Sequence, residues 1–177
     1  MVELLLAEKV GAVVEGRAEV GPRALGHRSI IALPRHAKMR ETVNTVKSRE
    51  QWRPFAPITL ESYAPRLWPS QGLRERYMVG SSAVSSHAHE VMPAAIHVDG
   101  TTRPQVLKTG QASVLEGVLR TMESNGEPPV LINTSFNGRG EPIVESAADA
   151  ARTFRELDLD FLVMGGLLVT RPEKSRG

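Results

Sequence analysis

The part of the sequence that most constrains the fold is a helix, a strand and a polar loop that follow one another in the second half of the chain. The helix has one apolar face and the Ser113 to Glu116 spacing of a capping box, and Asn125 and Gly126 end it. Residues 128–132 form an apolar run that is typical of a buried strand. A buried strand that directly follows an amphipathic helix predicts an α/β or α+β sheet.

Other apolar patterns repeat this alternation of strands and helices along the chain. Apolar runs predict strands at residues 12–14, 29–33, 55–60, 94–98, 101–108, 161–164 and 167–170. The apolar spacing from Met39 to Val46 predicts one helix, and Ser146 with Asp149 begins another. Because the chain has 177 residues and neither a linker nor an internal repeat, we predict a single α/β (α+β) domain over residues 1–177.

The composition excludes several classes of protein. The chain has no cysteine, which rules out disulfides, thiolate nucleophiles and cysteine metal sites. Its 22 basic and 20 acidic residues leave a net charge of +2, which implies no general polyanion-binding surface. No apolar run approaches the roughly 20 residues that cross a membrane, and the first residues are too acidic for a signal peptide. We therefore expect a cytoplasmic protein.

Arginine dominates the basic residues, with 17 Arg against 5 Lys. Within residues 19–57 the arginines lie beside Gly, Pro or helix-like runs, at Arg23, Arg28, Arg35, Arg40, Arg49 and Arg53. A planar guanidinium binds phosphate or carboxylate through two parallel hydrogen bonds, so this segment indicates an oxyanion site. A solvated arginine-rich face is the alternative. Lys47 and Arg49, taken alone, are also explained as cations at the C-terminal end of a helix.

Two polar loops that contain glycine follow predicted strands, at residues 21–28 and 133–140. Loops at strand ends commonly bind ligands in α/β sheets. The second loop offers the side chains of Thr134, Ser135 and Asn137 together with glycine N–H groups. This combination suits phosphate or carbonyl oxygens.

Other catalytic arrangements are not indicated. The sequence has no P-loop motif, no credible Ser-His-Asp triad and no evident third ligand for His87 and His89, so we predict no metal site. What remains is the loop with a group of cations, which supports nucleotide or acyl-phosphate binding. The cations are Arg23, Lys47, Arg49, Arg53 and Arg103.

Four segments resemble, in order and in spacing, the C-terminal domain of NodU/CmcH/TobZ-type O-carbamoyltransferases. They are Gly-Pro-Arg-Ala-Leu-Gly-His-Arg-Ser-Ile at 21–30, Arg-Pro-Phe-Ala-Pro at 53–57, His-Val-Asp-Gly-Thr-Thr-Arg-Pro-Gln at 97–105 and Asn-Thr-Ser-Phe-Asn-Gly-Arg-Gly-Glu-Pro-Ile at 133–143. That domain is YrdC-like, and its Lys-x-Arg and Ser-x-Asn signatures match residues 47–49 and 135–137. The resemblance covers nearly the whole chain and implies a twisted mixed sheet flanked by helices.

The resemblance also implies a reaction, the synthesis of carbamoyl-adenylate from ATP and carbamoyl phosphate, with Mg²⁺ accompanying the nucleotide. A carbamate oxygen would attack the α-phosphorus and expel pyrophosphate, and fixed cations would stabilise the charge that builds on the phosphoryl oxygens. The residues that it implies for catalysis are Lys47, Arg49, Arg103 and Ser135. Those that it implies for substrate binding are Arg23, Arg53, Gln105, Thr134 and Asn137.

The chain departs from that family at two points. Leu33 stands where the family usually has an Asp before Pro-Arg, so we expect no role for an acid there. The large N-terminal transferase domain of the ASKHA type is not part of residues 1–177. Because the adenylate is a reactive mixed anhydride, we expect a separate or fused transferase to capture it.

Two other functions stay open. A threonylcarbamoyl-adenylate synthase for tRNA modification shares the Lys-x-Arg and Ser-x-Asn signatures, although the motifs at 21–26 and 99–103 argue against it. A non-catalytic module that binds RNA or a nucleotide is the other alternative. The small net charge and the four Phe, two Trp and two Tyr make a nucleic-acid partner the weaker expectation.

Overall fold

Seven of the strands join one mixed sheet in the computed structural model, which describes residues 1–69 and 72–171. In chain order the strands are β1 (Gly11–Val14), β2 (Arg28–Ala32), β3 (Ala56–Leu60), β4 (Ser82–Ala83), β5 (Thr101–Thr102), β6 (Gln105–Leu107), β7 (Val130–Ser135), β8 (Phe161–Met164) and β9 (Leu167–Thr170). The large sheet has the order β6-β3-β7-β2-β1-β8-β9, and β4 pairs with β5 in a small second sheet.

Helices cover both faces of the large sheet. They are α1 (Val2–Leu6), α2 (Lys38–Val46), α3 (Ala64–Leu67), α4 (Leu73–Arg76), α5 (Ser86–Val91), α6 (Ser113–Ser124) and α7 (Ala147–Glu156). The capping box predicted for α7 is confirmed, since Ser146 Oγ accepts from the Asp149 N–H at 3.1 Å and Asp149 accepts from the Ser146 N–H. The predicted architecture, a mixed sheet flanked by helices, is confirmed.

Neighbouring residues of the strands point to two separate hydrophobic cores. Ile30 and Ile132 pack with α2 and α7 on one face, while Ile31 and Leu131 pack with α1 and α6 on the other. Because side chains alternate across a strand, a strand that is buried throughout must be covered on both sides. A third cluster joins α3 and α5 beside the edge of the sheet that ends in β6.

The strand directions bring five strand ends together at one end of the sheet. β2 is antiparallel to β1 and to β7, β3 is antiparallel to β7, and β3 is parallel to β6. The last residues of β1 and β7 therefore lie at the same end as the first residues of β2, β3 and β6. We call this the site end, because the loops at 15–27, 47–55, 103–104 and 136–145 all lie there.

The capping box that the sequence predicts at the start of α6 is wrong. The residue before the helix is Ala112, and the first N–H groups of the helix bind the carboxylate of Glu15 instead. Glu15 accepts from the N–H of Ser113 at 3.2 Å and of Val114 at 3.0 Å, and the Ser113 hydroxyl also donates to it. Because a carboxylate from the end of β1 satisfies these donors, the Ser113 side chain is not needed as a cap.

The strand predicted at residues 94–98 is also wrong. Pro93–Ala95 form a 3-10 turn, in which the Ala94 N–H donates to the Pro34 carbonyl at 3.2 Å. The Ala95 carbonyl accepts from Thr102 Oγ1 at 2.7 Å. Since these backbone groups already have partners, they cannot join a strand ladder.

Within the described residues, no helix has the length and apolar character needed to cross a bilayer.

Candidate anion-binding site

Lys47 joins the two signature motifs in space. It follows α2 directly and is only 5% exposed. Its ammonium donates to the Ser135 carbonyl at 2.5 Å, to the Asn137 carbonyl at 3.0 Å and to Asn137 Oδ1 at 3.0 Å. An ammonium has three donors, so these bonds use its full capacity. The Lys-x-Arg segment after α2 and the Ser-x-Asn segment after β7 are therefore parts of one site.

The loop after β7 is ordered by its own side chains. Ser135 Oγ donates to Asn137 Oδ1 at 2.6 Å, and Asn137 Nδ2 donates to the Glu141 carbonyl at 2.7 Å. The Gly138 N–H donates to the Glu141 carboxylate at 3.1 Å. Thr134, Ser135 and Asn137 remain half-buried, so their polar groups lie close to the surface. The loop is thus held in shape and still borders solvent.

A sharp reversal of the chain separates Lys47 from Arg49. Ser48 has a φ of +49°, in the left-handed region that costs a residue other than glycine about 1 kcal/mol. The Ser48 N–H donates to the Thr45 carbonyl at 2.9 Å and the Arg49 N–H to the Asn44 carbonyl at 3.1 Å. These two bonds form a Schellman motif at the end of α2. The motif leaves Lys47 buried and turns Arg49 back along the helix end.

Arg49 is held on three sides by protein groups. Its Nε donates to Asn44 Oδ1 at 2.6 Å, and its Nη2 is 3.4 Å from the Pro54 carbonyl. The guanidinium carbon lies 4.4 Å from the centre of the Phe55 ring. Burial, together with the positive charges of Arg53 and Arg103, lowers the pKa of Arg49 to about 10. The guanidinium is therefore oriented and stays charged at neutral pH.

The predicted arginines gather near one another with few carboxylates between them. Burial first, and then the charge of Arg23, lowers the pKa of Arg103. The buried Nε of Arg103 has no hydrogen-bond partner among the described residues. Arg53 does pair with Glu50, at 2.8 Å between Nε and Oε2. Neighbouring positive charges repel one another, and an anionic ligand would relieve that repulsion.

The same crowding affects Lys47. Burial, to which the positive charge of Arg49 adds, lowers the pKa of the Lys47 ammonium from 10.5 to about 7. An anion bound nearby would raise this pKa again, because a negative charge favours the protonated form. The protonation of Lys47 is thus coupled to ligand charge near neutral pH.

Gln105 is placed as an anchor for the loop at residues 21–28. It is 2% exposed, and its Nε2 donates to the Leu25 carbonyl at 2.9 Å. Its Oε1 accepts from Asn133 Nδ2 at 2.6 Å, and the same nitrogen lies 3.1 Å from the Ala24 carbonyl. Both ends of the Gln105 amide therefore bind protein groups, and they fix the loop that carries Arg23.

Not every arginine of residues 19–57 belongs to this site. The Arg28 guanidinium is buried and donates to the carbonyls of Glu15, Gly16 and Glu145, so it ties loops together. Arg35 forms an ion pair with Glu127. The alternative of a solvated arginine-rich face thus has little support, since buried Arg28 joins loops and Arg49 lies in the site.

Two residues that organise the site were not among those predicted. Asn44 is fully buried and holds Arg49, and Glu19 Oε1 accepts from the N–H groups of Leu25 at 2.7 Å and His27 at 2.8 Å. Asn44 binds the side chain of Arg49, whereas Glu19 binds backbone N–H groups, and both sets of contacts form only when the chain is folded. A cavity of about 490 Å³ opens beside the loop that Glu19 holds, at residues 15–27, and is also bordered by Gln105.

Comparison with known proteins agrees with this geometry. A family model described as carbamoyltransferase C-terminus matches residues 2–171. The chain belongs to this family. It is 42% identical over 161 residues to nodulation protein NolO of Bradyrhizobium diazoefficiens, covering 89% of this chain and 29% of that protein. It is 35% identical over 168 residues to nodulation protein U of Rhizobium tropici, covering 95% of this chain and 28% of that protein.

The carbamoyltransferase C-terminus domain thus spans less than a third of the length of these curated relatives. Its fold is similar to part of full-length HypF in a phosphate- and nucleotide-bound form, with a TM-score of 0.64 and 15% identity over 92% of this chain and 24% of that one. It is also similar to Sua5 of P. abyssi complexed with L-threonine, with a TM-score of 0.63 and 15% identity over 93% of this chain and 45% of that one. At this identity the likeness describes the fold, which is that of YrdC-like domains.

Proposed function

We propose that this domain forms carbamoyl-adenylate from ATP and carbamoyl phosphate, as the activating part of an O-carbamoyltransferase. The observation that carries the proposal is the meeting of both signature motifs at Lys47, beside a group of arginines with few carboxylates. Such a site suits a ligand with several phosphate charges. Membership of the carbamoyltransferase C-terminus family supports the carbamoyl group as the one that is activated.

The proposed reaction balances with water as a co-reactant. Carbamoyl phosphate loses its phosphoryl group to water, which releases carbamate and inorganic phosphate. A carbamate oxygen then attacks the α-phosphorus of ATP, and the bond to the bridging oxygen of the β-phosphate breaks with release of pyrophosphate. The side chains need to form no covalent intermediate; they position the reactants and stabilise phosphoryl charge.

The burial of each cation suggests its role. Arg49 and Arg103 are half-buried, and Arg49 is also oriented by Asn44, so we assign both to the triphosphate, where charge builds during the attack. Arg23 and Arg53 are exposed and would meet the smaller carbamoyl phosphate as it enters. Thr134 would offer a hydroxyl donor at the end of β7, and the Ser135 hydroxyl, which donates to Asn137 Oδ1, would offer its oxygen.

Three further residues hold the loops of the site in place. They are Lys47, Asn137 and Gln105. All three N–H groups of Lys47 already bind the loop at residues 135–137, so a direct bond to phosphate requires it to exchange one of them. Otherwise Lys47 contributes its charge and the shape of the loop. Asn137 accepts from both Lys47 and Ser135, and Gln105 holds the loop that carries Arg23.

Mg²⁺ fits this site as a companion of the nucleotide. It prefers oxygen ligands and is commonly held by substrate phosphates and water, with few protein groups. Among the described residues there is no cluster of three or more His, Cys, Asp or Glu side chains that could hold a metal ion. We therefore propose that Mg²⁺ is held by phosphate oxygens, with the hydroxyl of Ser135 as the oxygen ligand on offer, and that it neutralises phosphoryl charge.

The acceptor of the carbamoyl group calls for a partner. Carbamoyl-adenylate is a mixed anhydride that water destroys, so its transfer requires a nearby acceptor site that excludes water. Since this domain spans 29% and 28% of the two relatives, we propose that a separate or fused transferase of the ASKHA type supplies that site. A nucleic-acid partner is not part of the proposal.

The test follows pyrophosphate release from the purified chain with ATP and Mg²⁺, with and without carbamoyl phosphate. We expect release only when both substrates are present, and loss of that release in Arg49→Ala. Addition of a transferase from the same family keeps the test valid if the isolated domain retains its product. No release that depends on carbamoyl phosphate, with or without the transferase, would exclude the function.

One alternative is favoured by a specific observation. The Lys-x-Arg and Ser-x-Asn signatures and the fold likeness to Sua5 also suit a threonylcarbamoyl-adenylate synthase. In the same assay, threonine and bicarbonate replace carbamoyl phosphate. Release with these substrates alone would favour the alternative. Binding of RNA that weakens steeply with salt, without any release, would indicate a non-catalytic module.

A further inference from the structure

Asn44 is a buried polar residue that the proposed reaction does not use directly. It lies on α2, one turn before Lys47, and its side chain is completely inaccessible to solvent. A buried amide must find partners for its oxygen and for both N–H groups. Those of Asn44 all lie in the segment that follows the helix, at residues 49–53.

Three side-chain bonds and one backbone bond connect Asn44 to that segment. Its Oδ1 accepts from Arg49 Nε at 2.6 Å, and its Nδ2 donates to the carbonyls of Gln51 at 3.2 Å and Arg53 at 3.0 Å. Its backbone carbonyl accepts from the Arg49 N–H at 3.1 Å. A single side chain therefore sets both the path of the loop and the orientation of one guanidinium.

The choice of an amide has an electrostatic consequence. An amide oxygen binds the Nε of Arg49 without adding a negative charge, so the guanidinium keeps its full attraction for an anion. An aspartate of the same shape could accept the same bond, but it would pair with Arg49 and repel a phosphate. It would also lose the two donor groups that hold Gln51 and Arg53.

We propose that Asn44 is a positioning residue, which holds the Arg49 guanidinium in a fixed orientation through a neutral amide, so that it can bind a phosphate-bearing ligand. This inference rests on the proposed function for the identity of the ligand. Asn44 bonds the side chain of Arg49 but only the backbone carbonyls of Gln51 and Arg53, so we expect it to act on the ligand through Arg49. Removing the Asn44 side chain should weaken ligand binding by no more than the affinity that Arg49 contributes.

The test measures the dissociation constant of ATP with Mg²⁺ by calorimetry, in a double-mutant cycle. We expect Asn44→Ala to raise this constant about tenfold, and Asn44→Asp to raise it further because of its charge. In an Arg49→Ala background, Asn44→Ala should change the constant less than twofold. A purely structural role would give the same loss in both backgrounds, and this result would overturn the inference.

A matched control separates positioning from general destabilisation. Leu119→Ala opens a cavity in the core on the other face of the sheet, where Leu119 is fully buried, and should leave the dissociation constant unchanged. If Leu119→Ala weakens binding as much as Asn44→Ala does, the inference fails.

Binding and catalysis fail in distinguishable ways. If ATP binds with the expected coupling between Asn44 and Arg49 but no pyrophosphate is released, the proposed function fails and the positioning role stands. If the wild-type chain binds neither ATP with Mg²⁺ nor pyrophosphate, both are overturned.

Discussion

The two halves of the candidate site differ in how the protein treats their charges. Around Lys47 the charge is buried, and every donor of the ammonium has an acceptor in the loop after β7. Around Arg49, Arg53 and Arg103 the charges are half-buried or exposed, and they crowd one another. In the first half all hydrogen bonds of the charged group are made without a ligand. In the second half the arginines repel one another until an anion binds between them.

This difference suggests a division of labour within one pocket. The half around Lys47 fixes geometry, because its hydrogen bonds connect segments that are 88 residues apart in sequence. The half built from arginines supplies attraction, because its repulsion is relieved by the ligand. Mutations should therefore change stability and binding together in the first half, and mainly binding in the second.

The largest effect is expected from Lys47→Met. The change leaves the acceptors of Ser135 and Asn137 without their buried partner, so pyrophosphate release should fall about 1000-fold. The free energy of unfolding in urea should fall by about 2 kcal/mol. Lys108→Met is the control, since Lys108 pairs with Glu61 away from the site end at 3.8 Å. Equal stability of Lys47→Met and wild type would show that these hydrogen bonds do not hold the loop.

Arg49 should separate binding from stability. Arg49→Ala is expected to lower kcat/KM for ATP about 100-fold, and Arg49→Lys about tenfold, because a lysine cannot bind phosphate with a planar fork. Both variants leave the buried Asn44 Oδ1 without the Arg49 Nε donor, so each should lower the free energy of unfolding by about 1 kcal/mol, which is less than the loss expected for Lys47→Met. A large loss of stability in Arg49→Lys would contradict the contrast between the halves.

The pH dependence of stability tests the buried half alone. The pKa of Lys47 is lowered from 10.5 to about 7, so between these pH values the unfolded chain binds a proton that the folded chain lacks. The free energy of unfolding should therefore rise with pH, by up to about 1.4 kcal/mol per pH unit from this residue. Urea unfolding of wild type minus Lys47→Met, from pH 7 to pH 9, isolates this contribution. A difference that does not change with pH would show that the pKa is not lowered.

The smallest effect concerns the carboxylate beside the arginines. Glu50 pairs with Arg53, and its charge also opposes the lowering of the pKa of Arg49 by neighbouring cations. Glu50→Gln removes that negative charge and should tighten the binding of pyrophosphate about twofold, with more effect at low salt. Weaker binding in this variant would mean that Glu50 orients Arg53, and that the negative charge of Glu50 does not reduce the affinity of the arginines for an anion.

Much of the fold was predictable because apolar runs determine which segments are buried. The strands of both cores and the box that begins α7 follow from local patterns. The strand expected at residues 94–98 does not form, because its backbone groups are hydrogen-bonded to the Pro34 carbonyl and to the Thr102 hydroxyl. The start of α6 failed for a similar reason, since its partner is Glu15. Local patterns cannot reveal a hydrogen-bond partner that comes from another part of the chain.

The candidate site divides in the same way. Motif resemblance predicted that Lys47 and Ser135 belong together, although 88 residues separate them. It did not reveal Asn44, because one asparagine in a helix has no distinctive pattern. Its importance depends on which carbonyls and guanidinium lie beside it once the chain has turned at Ser48.

The carboxylate of Glu15 has a consequence for the order of folding. It satisfies the first N–H groups of α6 from a position 98 residues earlier in the chain. A helix of twelve residues is marginal alone in water, and this one lacks its cap until β1 is in place. The contact spans a long loop, whose closure is costly in entropy before the sheet exists. The amphipathic helix with the clearest local pattern in this chain should therefore become fully ordered only after strands far from it in sequence have paired.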